Sequence, residues 1–299
     1  MNKLPTLYLS PINKPILLAA KNFSKDVGYI ISQRQWTIDG GYVDKQLMDI
    51  VFSSTNKIER DHFCLSQQDD LVAQIEADAK FFDIIHIDPW YKHNFNIKET
   101  NNWLSNFIQY DNNIKFEFGT EDFIQTLSVE KYRDALENTK EYHDHFEYLV
   151  CQGGSVVFDL QNVSPVDIEK TKQFVNLGKE YGLKIKRHNC DFHTDEDLRL
   201  LKGLGIDAFN FAPEFTYLSN KIIIEHLTEP EREIILQEVE LNAPWSRWLN
   251  NLYNENKVLL SCLHYIEYHP IIKKYLEKYE NEIVESVSQR IQNICEIVC

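Results

Sequence analysis

The residues best suited to chemistry in this 299-residue chain are carboxylates and imidazoles at the ends of short apolar segments. Arg60-Asp61-His62-Phe63-Cys64 closes a segment that opens at Ile58. An aspartate beside a histidine, carried out of a strand into a loop, can set a proton-transfer group next to a metal ligand. Three further segments end in the same way: Ile84-Ile85-His86-Ile87-Asp88, Phe116-Glu117-Phe118-Gly119-Thr120-Glu121 and Lys184-Ile185-Lys186-Arg187-His188, with Asp191 and His193 just beyond the last. A catalytic zinc needs about three protein ligands and one open position. His62 and His188 from two segments, with Glu117 or Glu121 from a third, meet that count. Zn2+ held there would polarise a carbonyl or enediolate oxygen while Asp61 moved a proton.

Other candidates are weaker. His86 lies inside an alternating apolar run and reads as a core histidine rather than a ligand. His143 and His145 precede a strand, at the non-catalytic end of a barrel, and read as solvated. His226, His264 and His269 carry no site signal. The six cysteines form no CxxC pair and no zinc-finger spacing, so they read as reduced thiols, with Cys64, Cys151 and Cys190 as small buried hydrophobes.

Eight short apolar runs must position these groups: 6–11, 27–33, 58–65, 83–90, 114–119, 148–154, 183–189 and 208–213. Helical patterns alternate with them. One covers 69–81, with Leu71, Val72, Ile75 and Ala79 on one face, and others open at Ser164-Pro165-Val166-Asp167 and Thr194-Asp195-Glu196-Asp197. Eight strands, each followed by a helix, predict an α/β fold, a (β/α)8 barrel over residues 1–228, whose function collects at the C-terminal strand ends. A doubly wound sheet usually carries a Gly-rich nucleotide loop after its first strand, and here Ser10-Pro11-Ile12-Asn13-Lys14 stands there. Residues 229–299 read as helical throughout, with Trp245, Trp248, Leu249, Leu252 and Tyr253 at helical spacing. No Gly-, Ser- or Pro-rich linker precedes them, so they form a C-terminal helical extension packed on the barrel or offered to a partner chain.

A net charge of −15 argues against nonspecific binding to nucleic acid or anionic lipid. No apolar run approaches a membrane span. Met-Asn-Lys-Leu-Pro-Thr lacks the features of a secretory signal, and a cytoplasmic protein is expected.

The chain resembles the class II ketose-bisphosphate aldolase superfamily, and more closely the Z-type, non-catalytic subunit of tagatose-bisphosphate aldolases. The resemblance runs through Ser32-Gln33-Arg34-Gln35, Asp39-Gly40-Gly41-Tyr42, Asp61-His62, Ile85-His86-Ile87-Asp88 and Gly119-Thr120-Glu121. It continues through Val150-Cys151-Gln152-Gly153-Gly154, His188-Asn189-Cys190-Asp191-Phe192 and Ala212-Pro213-Glu214-Phe215-Thr216. By position it implies that Asp61 is the general acid/base, that His62 and His188 are zinc ligands, and that Glu117 or Glu121 is an acidic residue near the metal. Arg34, Gln35, Asp88, Gln152, Asp191 and Asn210 are the expected substrate-binding residues. The chain also departs from the family. Its sixth strand supplies Cys151-Gln152 where the family has a histidine ligand, and an amide is a weak zinc ligand beside imidazole. Asn189-Cys190-Asp191-Phe192 replaces the glycine-rich phosphate loop, and Asp191 would repel a phosphate. Two functions follow as expectations. One is a metal-dependent aldolase or lyase that cleaves a ketose or ketose phosphate through a zinc-stabilised enediolate. The other is a non-catalytic subunit that stabilises a catalytic aldolase chain. A homo-oligomer is compatible with either.

Overall fold

The computed structural model describes residues 4–36, 41–63, 71–90, 96–120, 127–153, 156–247, 249 and 253–299. In chain order the strands are β1 (Leu7–Leu9), β2 (Val27–Ser32), β3 (Ile58–Phe63), β4 (Ile84–Ile87), β5 (Lys115–Phe118) and β6 (Phe146–Val150), then β7 (Val157–Phe158), β8 (Gln161–Asn162), β9 (Lys184–Arg187) and β10 (Ala208–Phe211). Eight of them close into a parallel barrel in the order β1-β10-β9-β6-β5-β4-β3-β2. This is the expected (β/α)8 barrel, with β9 and β10 as its seventh and eighth strands. The antiparallel β7–β8 hairpin between the sixth and seventh is an addition that the sequence pattern did not announce.

The barrel helices are α1 (Lys14–Lys21), α2 (Lys45–Phe52), α3 (Leu71–Phe81), α4 (Ile97–Tyr110), α5 (Val129–Asn138), α6 (Ile168–Tyr181), α7 (Asp195–Leu204) and α8 (Pro213–His226). Helix α7 starts as expected, with Thr194 and Asp197 forming a reciprocal capping box. Helix α6 starts later than Ser164-Pro165 suggested: Asp167 is its cap and accepts from the Lys170 amide. In α3 the expected apolar stripe is only partly correct. Ile75 is buried, but Val72 is 63% exposed. The same helix buries Asp78, which forms a 3.2 Å ion pair with the outward-facing Arg60 of β3.

The extension comprises α9 (Glu229–Asn242), α10 (Glu255–Cys262), α11 (Pro270–Lys278) and α12 (Glu280–Val298). It is not one continuous helical run. Ala243 leaves the helical region before Pro244, as a residue preceding proline tends to, and Asn254 caps the next helix. Trp248 and Leu252, placed by periodicity on one stripe, lie outside the described residues. Helix α12 buries Ile283, Val287, Ile291, Ile294 and Val298 and packs on α1, α7 and α8. Among the described residues no helix is long and apolar enough to cross a membrane.

The core divides in two. Most buried apolar side chains lie between strands and helices. A separate small cluster, Tyr8, Ile30, Ile84, Tyr148 and Ala208, comes from five different strands and fills the bore. Period-2 alternation therefore identifies further bore-facing residues: Glu59 and Asp61 on β3, His86 and Asp88 on and after β4, Glu117 on β5, Lys186 and His188 on and after β9, and Asn210 on β10.

Candidate metal centre at the barrel mouth

Asp61 and His62 are adjacent in sequence, and a regular strand would point them to opposite faces. Pairing of β3 with β4 matches Arg60 to Ile85 but Phe63 to Ile87, so β3 holds one extra residue at this point. His62 takes the left-handed conformation (φ 47°). Such a bulge re-aims side chains and recurs next to active sites. It lets both Asp61 and His62 address the mouth.

Three imidazole nitrogens surround one oxygen of Asp61. His86 Nδ1 lies 3.5 Å from Asp61 Oδ1, His188 Nδ1 3.8 Å and His62 Nε2 3.8 Å. On its far side each ring meets an acceptor. His62 Nδ1 is 3.4 Å from Asp88 Oδ2, His86 Nε2 is 3.0 Å from the Gly119 carbonyl oxygen, and His188 Nε2 contacts Glu117 Oε1. Metal-ligating histidines characteristically carry such an outer acceptor, which sets the tautomer and the ring orientation. Asp61 Oδ1 is buried and has no hydrogen-bond partner among the described residues. Two triads bring ligand atoms within 4.8 Å of one another: Asp61, His62 and His86, and His86, Glu117 and His188. Each triad combines imidazole and carboxylate donors of the kind zinc takes, with His86 common to both, and the residues present fit that ion.

The electrostatics follow from the packing. Burial pushes the Asp61 carboxyl up, but His62, His86 and His188 outweigh it and hold it well below the usual carboxylate range. Glu117 is also held well below that range, because Lys186, His188 and His86 outweigh its burial. Glu59, deeper in the bore, moves the other way: burial and the neighbouring Glu117 push it up, and Lys186 offsets this only partly.

His86 was expected to be a core histidine. It is fully buried, and it also stands against Asp61 as the third imidazole. His193 is buried outside the cluster, with Nδ1 3.6 Å from Asp197, and burial lowers its pKa to about 4. His143 and His145 are not solvated but half-buried, bonded to the carbonyl oxygens of Leu136 and Ile114. Cys151 and Cys190 are buried thiols, as expected.

The expected substrate-binding residues divide. Asn210 is buried, and neither end of its carboxamide has a hydrogen-bond partner among the described residues. It follows Phe209, which pairs with Arg187, so it is carried level with His188. Asp88 stands behind His62 and accepts from the Trp90 amide. Arg34 is exposed at the rim. Gln35 is engaged within the fold: it donates to Ser10 Oγ and accepts from the Ser32 amide. Gln152 accepts from the Leu127 amide and from Lys170 Nζ. Asp191 accepts from the amides of Ala212 and Glu214, capping α8, and burial pushes its carboxyl up to about 8. Glu121, Asp39, Gly40, Cys64 and Gly154 lie outside the described residues.

No protein-family model matches the chain, and no curated protein is similar to it in sequence. Solved structures are similar in shape. One is described as a probable tagatose 6 phosphate kinase from Sinorhizobium meliloti 1021, with TM-score 0.76 and 14% identity over 98% of this chain and 99% of that one. The fructuronate-tagaturonate epimerase UxaE from Cohnella laeviribosi gives TM-score 0.72 and 10% identity, over 99% of this chain and 82% of the other. A fructose-bisphosphate aldolase from Campylobacter jejuni gives TM-score 0.59 and 12% identity over 98% and 91%. The chain shares the (β/α)8 barrel fold of these structures. At these identities the likeness is one of fold, and it agrees with the class II aldolase resemblance carried by the motifs.

Proposed function

We propose that the chain is a metal-dependent lyase that breaks a carbon–carbon bond of a ketose by aldol cleavage. The observation that supports this most is the convergence of three imidazole nitrogens, each ring backed by an acceptor, on Asp61 Oδ1 at 3.5 to 3.8 Å. His62, His86 and His188 would hold a zinc ion and leave one position for substrate. Bound there, zinc supplies Lewis acidity toward the ketose carbonyl. Asp61 stays ionised at neutral pH and is an acceptor. It takes the proton from the hydroxyl on the β-carbon, the carbon at the far end of the bond that breaks. That oxygen becomes a carbonyl as the bonding pair moves to the carbon next to the ketone, giving an enediolate. Asn210 offers a donor and an acceptor to a substrate hydroxyl.

His86 of β4 offers a third imidazole where the sixth strand offers none, which favours catalysis by this chain alone. The ancillary-subunit reading rests on that same missing histidine. The similarity to an epimerase of ketose uronates adds that class to the substrates worth testing.

The test combines elemental analysis with retro-aldol assays on ketoses, ketose phosphates and ketose uronates, before and after chelation. Near-stoichiometric zinc and chelator-sensitive turnover are expected. A chain that takes up no metal and turns over no ketose would favour the subunit reading.

A further inference from the structure

Below the histidines the bore holds an ionic layer in place of the branched apolar layers usual in such barrels. Strands β3 and β9 stand opposite each other in the closed order, four places apart, and Lys186 reaches across to Glu59. Both side chains have no exposed surface. The same ammonium lies 2.8 Å from Glu117 Oε2 and 3.6 Å from the centroid of the Tyr8 ring. Glu117 thus has one oxygen on Lys186 and the other on His188 Nε2.

An ionic group in this place is costly to bury, and apolar side chains of similar volume would commonly serve stability as well or better. Its geometry points upward. Glu117 can face His188 with only one of its oxygens while Lys186 holds the other. A carboxylate so held accepts a hydrogen from His188 Nε2, and this puts the ring's lone pair on Nδ1, the atom 3.8 Å from Asp61.

We infer that Lys186, anchored across the bore by Glu59, is a positioning residue that fixes Glu117 and thereby keeps His188 in the tautomer whose Nδ1 can ligate metal. This rests on the reading of the mouth as a metal centre. Lys186 itself does not touch the substrate, because it is sealed beneath the histidines.

The test uses the full chain, metal-free, with long-range proton–nitrogen correlation spectra to assign the His188 tautomer, followed by Co2+ titration. The wild type is expected to show the Nε2–H form. Lys186→Met alone leaves two buried carboxylates without their cation and is open to misfolding. The double variant Glu59→Leu/Lys186→Met removes both members of the pair that spans the bore and keeps the experiment decisive. In it His188 should populate both tautomers, and Co2+ affinity should fall about 10- to 100-fold. Tyr148→Phe removes a hydroxyl next to this layer, on a ring 5.1 Å from the Lys186 ammonium, and should change neither readout. A double variant that retains a single Nε2–H tautomer, with Co2+ affinity within about threefold of wild type, would overturn the inference. A wild type that binds no Co2+ would count against the metal centre, and the tautomer comparison on metal-free protein would still decide the role of Lys186.

Discussion

The lower and upper parts of the barrel bore are built on different principles. The lower part is Tyr8, Ile30, Ile84, Tyr148 and Ala208, packed in the manner of any buried core. Against it lie Glu59, Glu117 and Lys186, whose ammonium stands over the Tyr8 ring, and toward the strand ends come Asp61, His86, His188 and Asn210. The lower layer gains stability by removing apolar surface from water. The upper one buries charges that cost several kcal/mol each to desolvate, and recovers this only through mutual contacts. Polar groups gather where the strands open onto the mouth, so position along the axis separates chemistry from stability.

Substitutions should therefore have opposite signatures at the two levels. The largest effect is expected from Asp61→Asn, which should lower turnover about 100- to 10,000-fold by steady-state assay while zinc content and melting temperature stay near wild type. Undiminished turnover would remove Asp61 from the proton step. In the lower layer, Tyr148→Ala should cost about 3–5 kcal/mol in denaturant unfolding and leave the Co2+ spectrum of the folded fraction unchanged. A spectral change would show that the two layers are not separable.

His264 sharpens the contrast from outside the bore: it is buried against the rings of Tyr42 and Tyr265, and its Nδ1 has no hydrogen-bond partner among the described residues. Burial lowers its pKa from 6.5 to about 3. The folded state holds it neutral, so its contribution to stability is present above pH 6.5 and is lost as pH falls toward 3. The slope approaches about 1.4 kcal/mol per pH unit. His264→Phe should flatten that acid limb in unfolding experiments, and an unchanged limb would assign the acid loss to other groups. The smallest effect is expected at the edge of the extension, where Arg290 of α12 donates to Glu214 at 2.6 Å. Arg290→Ala should cost about 1.5 kcal/mol, read by thermal unfolding, with metal binding unchanged.

The eight barrel strands were legible because apolar runs and helical patterns alternate so regularly. Asp61, His62 and His188 were legible because each stands where a strand meets a loop. His86 was not, for a physical reason. A strand buried on both faces gives no contrast between bore and outer core, so a histidine among isoleucines looks the same in either place. Same-face pairing was the usable signal: Ile84, His86 and Asp88 share a face, as do Glu59 with Asp61 and Lys186 with His188. Read that way, the sequence also points to Glu59 and Lys186. The bulge that turns Asp61 and His62 to one side leaves no mark in residue type. Nor does anything local reveal that Gln35 and Asp191 serve the backbone of neighbouring elements.

The central claim is that His62, His86 and His188 form one metal centre beside Asp61. Co2+ titration of the metal-free chain, followed by its d–d absorption and repeated on His86→Ala, tests it most directly. One ion per chain with a four-coordinate spectrum is predicted, together with loss of that spectrum in the variant while the fold is retained. A wild type that binds no ion, or a His86→Ala variant that binds it with the same spectrum and affinity, would contradict the account.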